Sequence, residues 1–231
     1  MDLFSFKAVF FDVGGTLINP YPSVGDIYVK HARNFGFDGE AKDIDKQFGI
    51  EWKNTGGLES LGNQSGEAVE KKFWHDIVFD VFKPFGGVKD FETYFETIYE
   101  AFKSADNWKV FDDVLESGVL QKLKDRGITL GVLSNWDSRL TPILENVGLA
   151  QYFDFILASA SVGSAKPDSK IFQEGLRLSG VQPNQVCHIG DEVKTDVTGA
   201  RSLGIHPVLI DRKSRFPDEK VHKISSFCEL V

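Results

Sequence analysis

An aspartate followed by two glycines comes directly after a short apolar run near the start of this 231-residue chain. The run, Ala8–Phe11, is typical of a strand that is buried on both faces of a parallel sheet. Such a strand places Asp12 at the carboxyl edge of the sheet, where open α/β sheets bind their ligands. Gly14 and Gly15 let an anion approach the main chain closely. The stretch predicts a carboxylate beside an anion site, although a strand followed by an ordinary turn has the same pattern.

Three later segments also place polar side chains at predicted strand ends. The first ends in Ser134 and Asn135, the second supplies Lys166, and the third ends in Asp191 with Asp196 five residues on. Titratable and hydroxyl groups that converge at one sheet edge are typical of a reaction centre. Each segment alone has a bland alternative, because a lysine in a loop is commonly a solvated charge and a Ser-Asn pair is commonly a turn.

In chain order these four segments resemble the signature motifs of the haloacid dehalogenase superfamily: a nucleophilic aspartate, a serine or threonine, a lysine and an acidic pair. The resemblance extends from about residue 6 to about residue 210. It implies a Rossmann-like core with a helical cap, and hydrolysis of a small phosphorylated metabolite. It also implies that Asp12 attacks phosphorus and forms an aspartyl-phosphate.

An oxygen-rich metal site is expected at the same edge. Asp12, the main-chain carbonyl of Gly14 and Asp191 are candidate ligands of Mg²⁺, a hard cation that prefers oxygen. Asp196, the fourth member of this predicted metal group, and Glu192 would orient ligands or waters next to the ion. Converging carboxylates repel one another unless a cation lies between them. The alternative is that the acidic pair only begins and caps a helix.

A cradle for the phosphoryl group is expected beside the metal. Ser134, Lys166 and the main-chain N–H groups of Gly15 and Asn135 are its predicted members. Lys166 would neutralise charge on the transferring oxygens, since electrostatic stabilisation of that charge is a large part of such catalysis. Thr16 is expected to hold the glycine turn by hydrogen bonding.

Gly14 departs from the superfamily pattern, because most phosphatases of the superfamily have an aspartate two residues after the nucleophile. That aspartate protonates the leaving oxygen and then activates water, and such help is worth about 10²–10⁴-fold. One possibility is a phosphatase that is slow, takes good leaving groups or recruits another acid such as Glu192 or a residue of the cap. Another is a 2-haloacid dehalogenase, although those enzymes lack the metal-binding acidic pair that this chain keeps.

Two further alternatives stay open at this stage. Phosphonatases also lack this aspartate and use a cap lysine as a Schiff base; Lys30 and Lys53 lie in the predicted cap. The non-enzymatic alternative is a catalytically weak module that binds phosphate or a protein through the retained cradle. Release of phosphate that depends on Mg²⁺ separates the enzyme from the binder.

The elements that position these residues alternate between strands and helices. Strands are predicted over Ala8–Phe11, 128–133, 155–159, 186–189 and 207–210, and helices over 113–124, 139–147, 169–178 and 195–203. This alternation predicts an α/β fold with a doubly wound parallel sheet. Residues 22–106 hold apolar side chains at helical spacing and almost no strand-like alternation. They predict a helical cap inserted into a Rossmann-like core of residues 1–21 and 107–231.

Composition limits the classes of partner and the cellular locations that are expected for this chain. The net charge is −8 and the sequence pI is about 5.2, which argues against general binding to nucleic acid or an anionic membrane. No apolar run approaches the roughly 20 residues that span a bilayer, and the start of the chain has no secretory pattern. Cys187 and Cys228 form no C-x-x-C pair, so free thiols in a cytoplasmic location are expected. The substrate and the oligomeric state cannot be deduced from these residues.

Overall fold

Strands and helices alternate along most of the chain, of which the computed structural model describes residues 2–230. In this range the strands are β1 Ala8–Phe11, β2 Ile18–Pro20, β3 Trp108–Val110, β4 Thr129–Ser134, β5 Phe155–Ala158, β6 Val186–Gly190, β7 His206–Ile210 and β8 His222–Ile224. The helices are α1 Val24–Ala32, α2 Ala41–Thr55, α3 Glu67–Phe82, α4 Phe91–Ala101, α5 Asp112–Ser117, α6 Val119–Asp125, α7 Leu140–Asn146, α8 Ser159–Val162, α9 Ser169–Ser179 and α10 Gly199–Ser202. None of the helices within residues 2–230 has the length and apolar character needed to cross a membrane.

Six strands form one parallel sheet in the order β5-β4-β1-β6-β7-β8. Strand β1 lies inside it, with Ala8 opposite both Thr129 of β4 and Val186 of β6. Its side chains are fully buried and alternate between two hydrophobic clusters, with Phe11 in one and Phe10 in the other. Helices therefore cover both faces of the sheet. The predicted doubly wound α/β fold is confirmed.

The helices α1–α4 are inserted between two short strands, β2 and β3, which pair antiparallel with Ile18 opposite Val110. This pair joins the outgoing and returning chain, and it was not predicted because each strand has only three residues. The inserted helices have a hydrophobic cluster of their own, which includes Tyr28, Phe82 and Tyr94. We call residues 22–106 the cap. The division into this cap and a core of residues 1–21 and 107–231 stays a prediction, which the separate cluster supports.

Two predicted helices differ in the structure. The prediction of one helix over 113–124 was wrong, because Gly118 adopts a left-handed conformation (φ 60°) and separates α5 from α6. Glycine ends helices in this way since it has no β-carbon to clash in that conformation. The predicted helix over 195–203 begins with a π-helical turn, Val193–Thr198, before α10. That wider turn carries Asp196 into the site described next.

Candidate active site

Asp12 lies at the carboxyl end of β1, where its carboxylate meets side chains from two other segments. Its main-chain N–H donates to the carbonyl of Ile189 at 2.9 Å, which continues the pairing of β1 with β6. Its Oδ1 accepts hydrogen bonds from Ser134 Oγ at 2.9 Å and from Lys166 Nζ at 2.7 Å. Burial raises the pKa of the Asp12 carboxyl, although Lys166 favours its charged form. The three residues predicted to be catalytic are thus in direct contact.

Lys166 is almost completely buried and bridges two carboxylates. Its Nζ donates to Asp12 Oδ1 at 2.7 Å and to Asp196 Oδ1 at 2.6 Å. Burial lowers the pKa of the ammonium, but the two ion pairs outweigh burial and raise the pKa to about 12. The Asn135 side chain fixes the lysine's main chain, accepting from its N–H at 2.6 Å and donating to its carbonyl at 2.9 Å. The side chain of Asn135 therefore positions the lysine, and the place of its main-chain N–H in the phosphoryl cradle stays a prediction.

Three carboxylates converge at this edge of the sheet. One oxygen each from Asp12, Asp191 and Asp196 lie within 4.8 Å of one another. Burial, together with the negative charges of Asp12 and Asp196, raises the pKa of Asp191 to about 8. Burial would also raise the pKa of Asp196, but Lys166 and His188 hold it well below its ordinary value. Two cations contact the cluster, Lys166 at Asp12 and Asp196, and the arginine described below at Asp191.

Asp196 is held from several sides. Besides Lys166, its Oδ1 contacts His188 Nε2 at 2.9 Å, and its Oδ2 accepts from the N–H of Glu192 at 3.1 Å. A side chain on Gly190 would collide with the Asp196 carboxylate, so only glycine fits at the end of β6. His188 was missed in the sequence, where the signal was a histidine inside an otherwise apolar strand. A fully buried imidazole there needs a polar partner.

Arg215 was also missed, because it follows β7 in a loop with no motif. Its Nη2 donates to Asp191 Oδ2 at 2.9 Å and its Nη1 donates to Glu192 Oε1 at 2.6 Å. Asp211 orients this loop by accepting from the main-chain N–H of Arg215 at 2.8 Å. The arginine partly neutralises Asp191 and engages the glutamate that was considered as a replacement acid.

The donor set fits a hard divalent cation. Asp12 and Asp191 supply carboxylate oxygens, and Gly14, whose main-chain carbonyl is the predicted further ligand, lines the adjoining cavity. Asp196 already accepts hydrogen bonds at both oxygens, which suits a residue that orients other ligands. A cation here would relieve the repulsion among the converging carboxylates.

The glycine turn differs in one detail from expectation. Gly15 is left-handed (φ 74°) and packs directly against the Asp191 carboxylate, so a side chain there would clash. Its N–H donates to the carbonyl of Ile18 at 2.9 Å and is not available to a phosphoryl group as predicted. The Thr16 hydroxyl is buried without a hydrogen-bond partner among residues 2–230. Thr16 hydrogen-bonds within the turn through its main chain, where its N–H donates to the carbonyl of Val13 at 3.2 Å.

A cavity of about 610 Å³ separates this site from the cap. Its floor contains Asp12, Ser134, Lys166 and Asp191, and its walls are mostly aromatic side chains of the cap and of the connecting segments. Of the two lysines considered for a Schiff base, Lys53 lines the cavity; Lys30 is exposed and is not among the lining residues. The cavity is large enough for a small metabolite.

A buried ion pair between Asp137 and Arg139 lies beside the cavity, and Arg139 lines it. Asp137 Oδ1 accepts from Arg139 Nε at 2.8 Å, and the guanidinium lies 3.7 Å from the ring centre of Tyr99. Arg139 also donates from Nη1 to the carbonyl of Tyr99 at 3.1 Å, which ties the segment after β4 to helix α4. The arginine is neutralised by Asp137, so it contributes orientation more than net charge to the cavity.

Two glutamates in the first turn of α3 join the cap to the core. Glu67 accepts from Ser138 Oγ at 2.7 Å and from its N–H at 3.0 Å. Glu70 is fully buried and accepts from Ser159 Oγ at 2.7 Å and from Ser65 Oγ. Burial raises the pKa of Glu70 to about 7. These contacts hold the cap against the loop that follows β4 and against the start of α8.

Comparison with known proteins shows that this chain is similar to haloacid dehalogenase-like hydrolases. The model of the haloacid dehalogenase-like hydrolase family matches residues 6–204. Haloacid dehalogenase-like hydrolase domain-containing protein 3 of Bos taurus is 36% identical over 86% of this chain and 79% of its own. Phosphoserine phosphatase of Thermus thermophilus is 30% identical over 71% of this chain and 63% of its own. The crystal structure of a HAD phosphatase from Thermococcus onnurineus superposes with a TM-score of 0.67 at 25% identity, covering 97% of this chain and 95% of that one.

Proposed function

The chain belongs to the haloacid dehalogenase-like hydrolase family and is a hydrolase, and we propose that it hydrolyses a small phosphorylated metabolite through a phosphoryl group carried on Asp12. The observation that carries this proposal is the contact of one buried carboxylate with Ser134 and Lys166, beside two further carboxylates. The phosphatase names of two similar proteins agree with it.

In the first step the Asp12 carboxylate attacks phosphorus, the bond between phosphorus and the leaving oxygen breaks, and the leaving group departs with the electron pair. Ser134 Oγ and Lys166 Nζ hold the carboxylate by hydrogen bonds of 2.9 Å and 2.7 Å. The ammonium also lies where it can neutralise charge on the phosphoryl oxygens. In the second step water attacks phosphorus, which restores the carboxylate and releases inorganic phosphate.

Mg²⁺ is the proposed cofactor, and when bound it would supply neutralising charge to phosphoryl oxygens. Asp12, Asp191 and the carbonyl of Gly14 are the residues that would hold it, and Asp196 would orient its surroundings. Arg215 keeps Asp191 in position through its Nη2 hydrogen bond. The cap would close the site against bulk water, which strengthens every electrostatic contact inside it.

The remaining expectations stay proposals. The partner is a small phosphorylated molecule held in the cavity, not a nucleic acid, and the acidic net charge of −8 supports this. A cytoplasmic location is supported by the free thiols of Cys187 and Cys228.

Phosphate release from a panel of phosphorylated metabolites, with and without Mg²⁺, tests the proposal. Asp12→Asn should abolish Mg²⁺-dependent release. Asp154→Asn is the matched control, because Asp154 lies at the opposite edge of the sheet, where it accepts from the N–H of Leu130 at 2.8 Å. Undiminished phosphate release by a folded Asp12→Asn protein, or phosphate release by the wild type that does not depend on Mg²⁺, would contradict the proposal.

A further inference from the structure

The four tryptophans of the chain, Trp52, Trp74, Trp108 and Trp136, all line the one cavity above Asp12. Trp52 and Trp74 are stacked, with ring centres 5.7 Å apart and an interplanar angle of 25°. Trp108 and Trp136 are tilted against each other, with ring centres 5.2 Å apart. Flat aromatic walls favour a flat ring as their occupant, because stacked and edge-to-face pairs add to simple apolar burial.

Trp136 lies against Gly14, the position at which most phosphatases of the superfamily have their acid aspartate. A β-carbon on Gly14 would lie 3.3 Å from Trp136 Cζ3, which is closer than ordinary contact. The main chain of Trp136 is fixed, since its N–H donates to Ser159 Oγ at 2.9 Å and its carbonyl accepts from the N–H of Ala160 at 3.1 Å. An aromatic ring therefore lies against the position at which most phosphatases of the superfamily have a carboxyl group.

The two glutamates that line the cavity are each paired with a cation. Apart from the three aspartates of the floor, the carboxylates that line the cavity within residues 2–230 are Glu59 and Glu192. Glu59 accepts from Lys194 Nζ at 2.7 Å and Glu192 accepts from Arg215 Nη1 at 2.6 Å. A leaving group that departs without a proton must be a weak base. A phenol has a pKa of about 10, whereas water, which aliphatic alcohols resemble, has a pKa of about 15.7.

We propose that the substrate is an aryl phosphate, the phosphate monoester of a flat aromatic alcohol, whose ring lies against Trp136 and Trp108. This inference rests on the proposed phosphatase function. Asp12 attacks phosphorus, the bond between phosphorus and the aryl oxygen breaks, and the electron pair leaves on the aryl oxide. The aryl oxide then takes a proton from solvent, and water later releases phosphate from Asp12. The aromatic wall and the missing acid thus select the same class of leaving group.

Binding without turnover tests the aromatic wall. Wild-type protein with Mg²⁺ is titrated with phenylphosphonate and with cyclohexylphosphonate, which carry the same anion on a flat and on a puckered ring. Tryptophan fluorescence follows binding, because every fluorophore of this type lies in the cavity. We expect phenylphosphonate to bind about tenfold more tightly, the effect of one or two aromatic pairs. Equal affinity for the two ligands would overturn the inference.

Hydrolysis tests the leaving group. The value of kcat/KM reports the steps up to phosphorylation of the enzyme, so it is compared for phenyl, benzyl and acetyl phosphate. Benzyl phosphate has the ring but leaves as an alkoxide, and acetyl phosphate leaves as a weak base but has no ring. We expect phenyl phosphate to exceed benzyl phosphate by about 10²-fold or more, the worth of the missing acid. The kcat/KM for acetyl phosphate should also be lower than that for phenyl phosphate. A kcat/KM for benzyl or acetyl phosphate equal to that for phenyl phosphate would overturn the inference.

Two variants identify Trp136 as the residue that sets this specificity. Trp136→Leu should reduce the preference for phenylphosphonate, measured by calorimetry, while Trp136→Phe should keep most of it; the melting temperature of each variant checks its fold. A full preference in a folded Trp136→Leu protein would overturn the assignment. If no phosphate ester is hydrolysed, the proposed function fails, and the phosphonate titration still decides whether the wall selects aromatic anions.

Discussion

Glu70 joins the cap to the core through a carboxyl group whose ionisation costs stability. It is fully buried on α3, and its Oε1 accepts from Ser159 Oγ at 2.7 Å while its Oε2 has no partner among residues 2–230. Burial raises its pKa from 4.5 to about 7. Since one pKa unit corresponds to about 1.4 kcal/mol, ionising Glu70 costs the folded protein about 3 kcal/mol.

The sign of the pH effect follows from proton uptake. Between pH 4.5 and about 7 the folded protein keeps the proton of Glu70 and the unfolded chain has lost it. The contribution of Glu70 to the free energy of unfolding therefore falls as pH rises through this window, and it levels off above it. Glu70→Gln has no proton to lose and keeps an oxygen that can accept from the serines. The variant should become more stable relative to the wild type as pH rises.

Urea unfolding of both proteins at about pH 5 and about pH 8 measures this effect, because other titrating groups cancel in the difference between variant and wild type. The difference in unfolding free energy should move by about 2–3 kcal/mol in favour of Glu70→Gln. Glu67→Gln is the matched control, since Glu67 is an exposed glutamate on the same helix that also binds a core serine. A difference between Glu70→Gln and wild type that does not change with pH would refute the reasoning.

Three further predictions concern the candidate active site. Gly14→Asp should fold, because Gly14 is outside the left-handed region and Trp136 needs to move by only a few tenths of an ångström. The new acid should raise kcat/KM for benzyl phosphate more than for phenyl phosphate, and no gain on the benzyl ester would contradict this. Asp191→Asn should abolish the increase in melting temperature that Mg²⁺ gives the wild type, and an unchanged increase would exclude Asp191 as a ligand. Lys166→Met leaves two buried carboxylates without their shared cation, so it should lower the free energy of unfolding, measured by urea denaturation, by about 3–5 kcal/mol. A loss below about 1 kcal/mol would show that the ion pairs of Lys166 are not buried in solution.

The sheet and the meeting of its polar strand ends could be predicted from the sequence. Four apolar runs, each followed by a polar residue, are a local pattern, and parallel strands bring their carboxyl ends to one edge. Asp12, Ser134 and Asp191 meet in this way, whereas Lys166 reaches Asp12 and Asp196 from the loop between α8 and α9 and not from the end of β5. The break at Gly118 was missed because a glycine inside a helical pattern is often tolerated.

Contacts between distant segments could not be predicted. Glu70 lies in an amphipathic helix, where a glutamate is usually solvated, and its partner Ser159 is 89 residues away. The packing of Trp136 against Gly14 depends on the course of the loop after β4, which periodicity does not describe. Arg215 reaches Asp191 from a loop without a motif. Each of these residues is given its role by tertiary structure alone.

The central claim is that Asp12 carries the phosphoryl group during hydrolysis. Wild-type protein is mixed with Mg²⁺ and a phosphate ester that it hydrolyses, the reaction is stopped within milliseconds by acid, and the protein is digested and examined by mass spectrometry. We predict one added phosphoryl group on the peptide that contains Asp12, and none in Asp12→Asn. Rapid release of phosphate by the wild type without any phosphoryl group on Asp12, or with the group on another residue, would contradict the account.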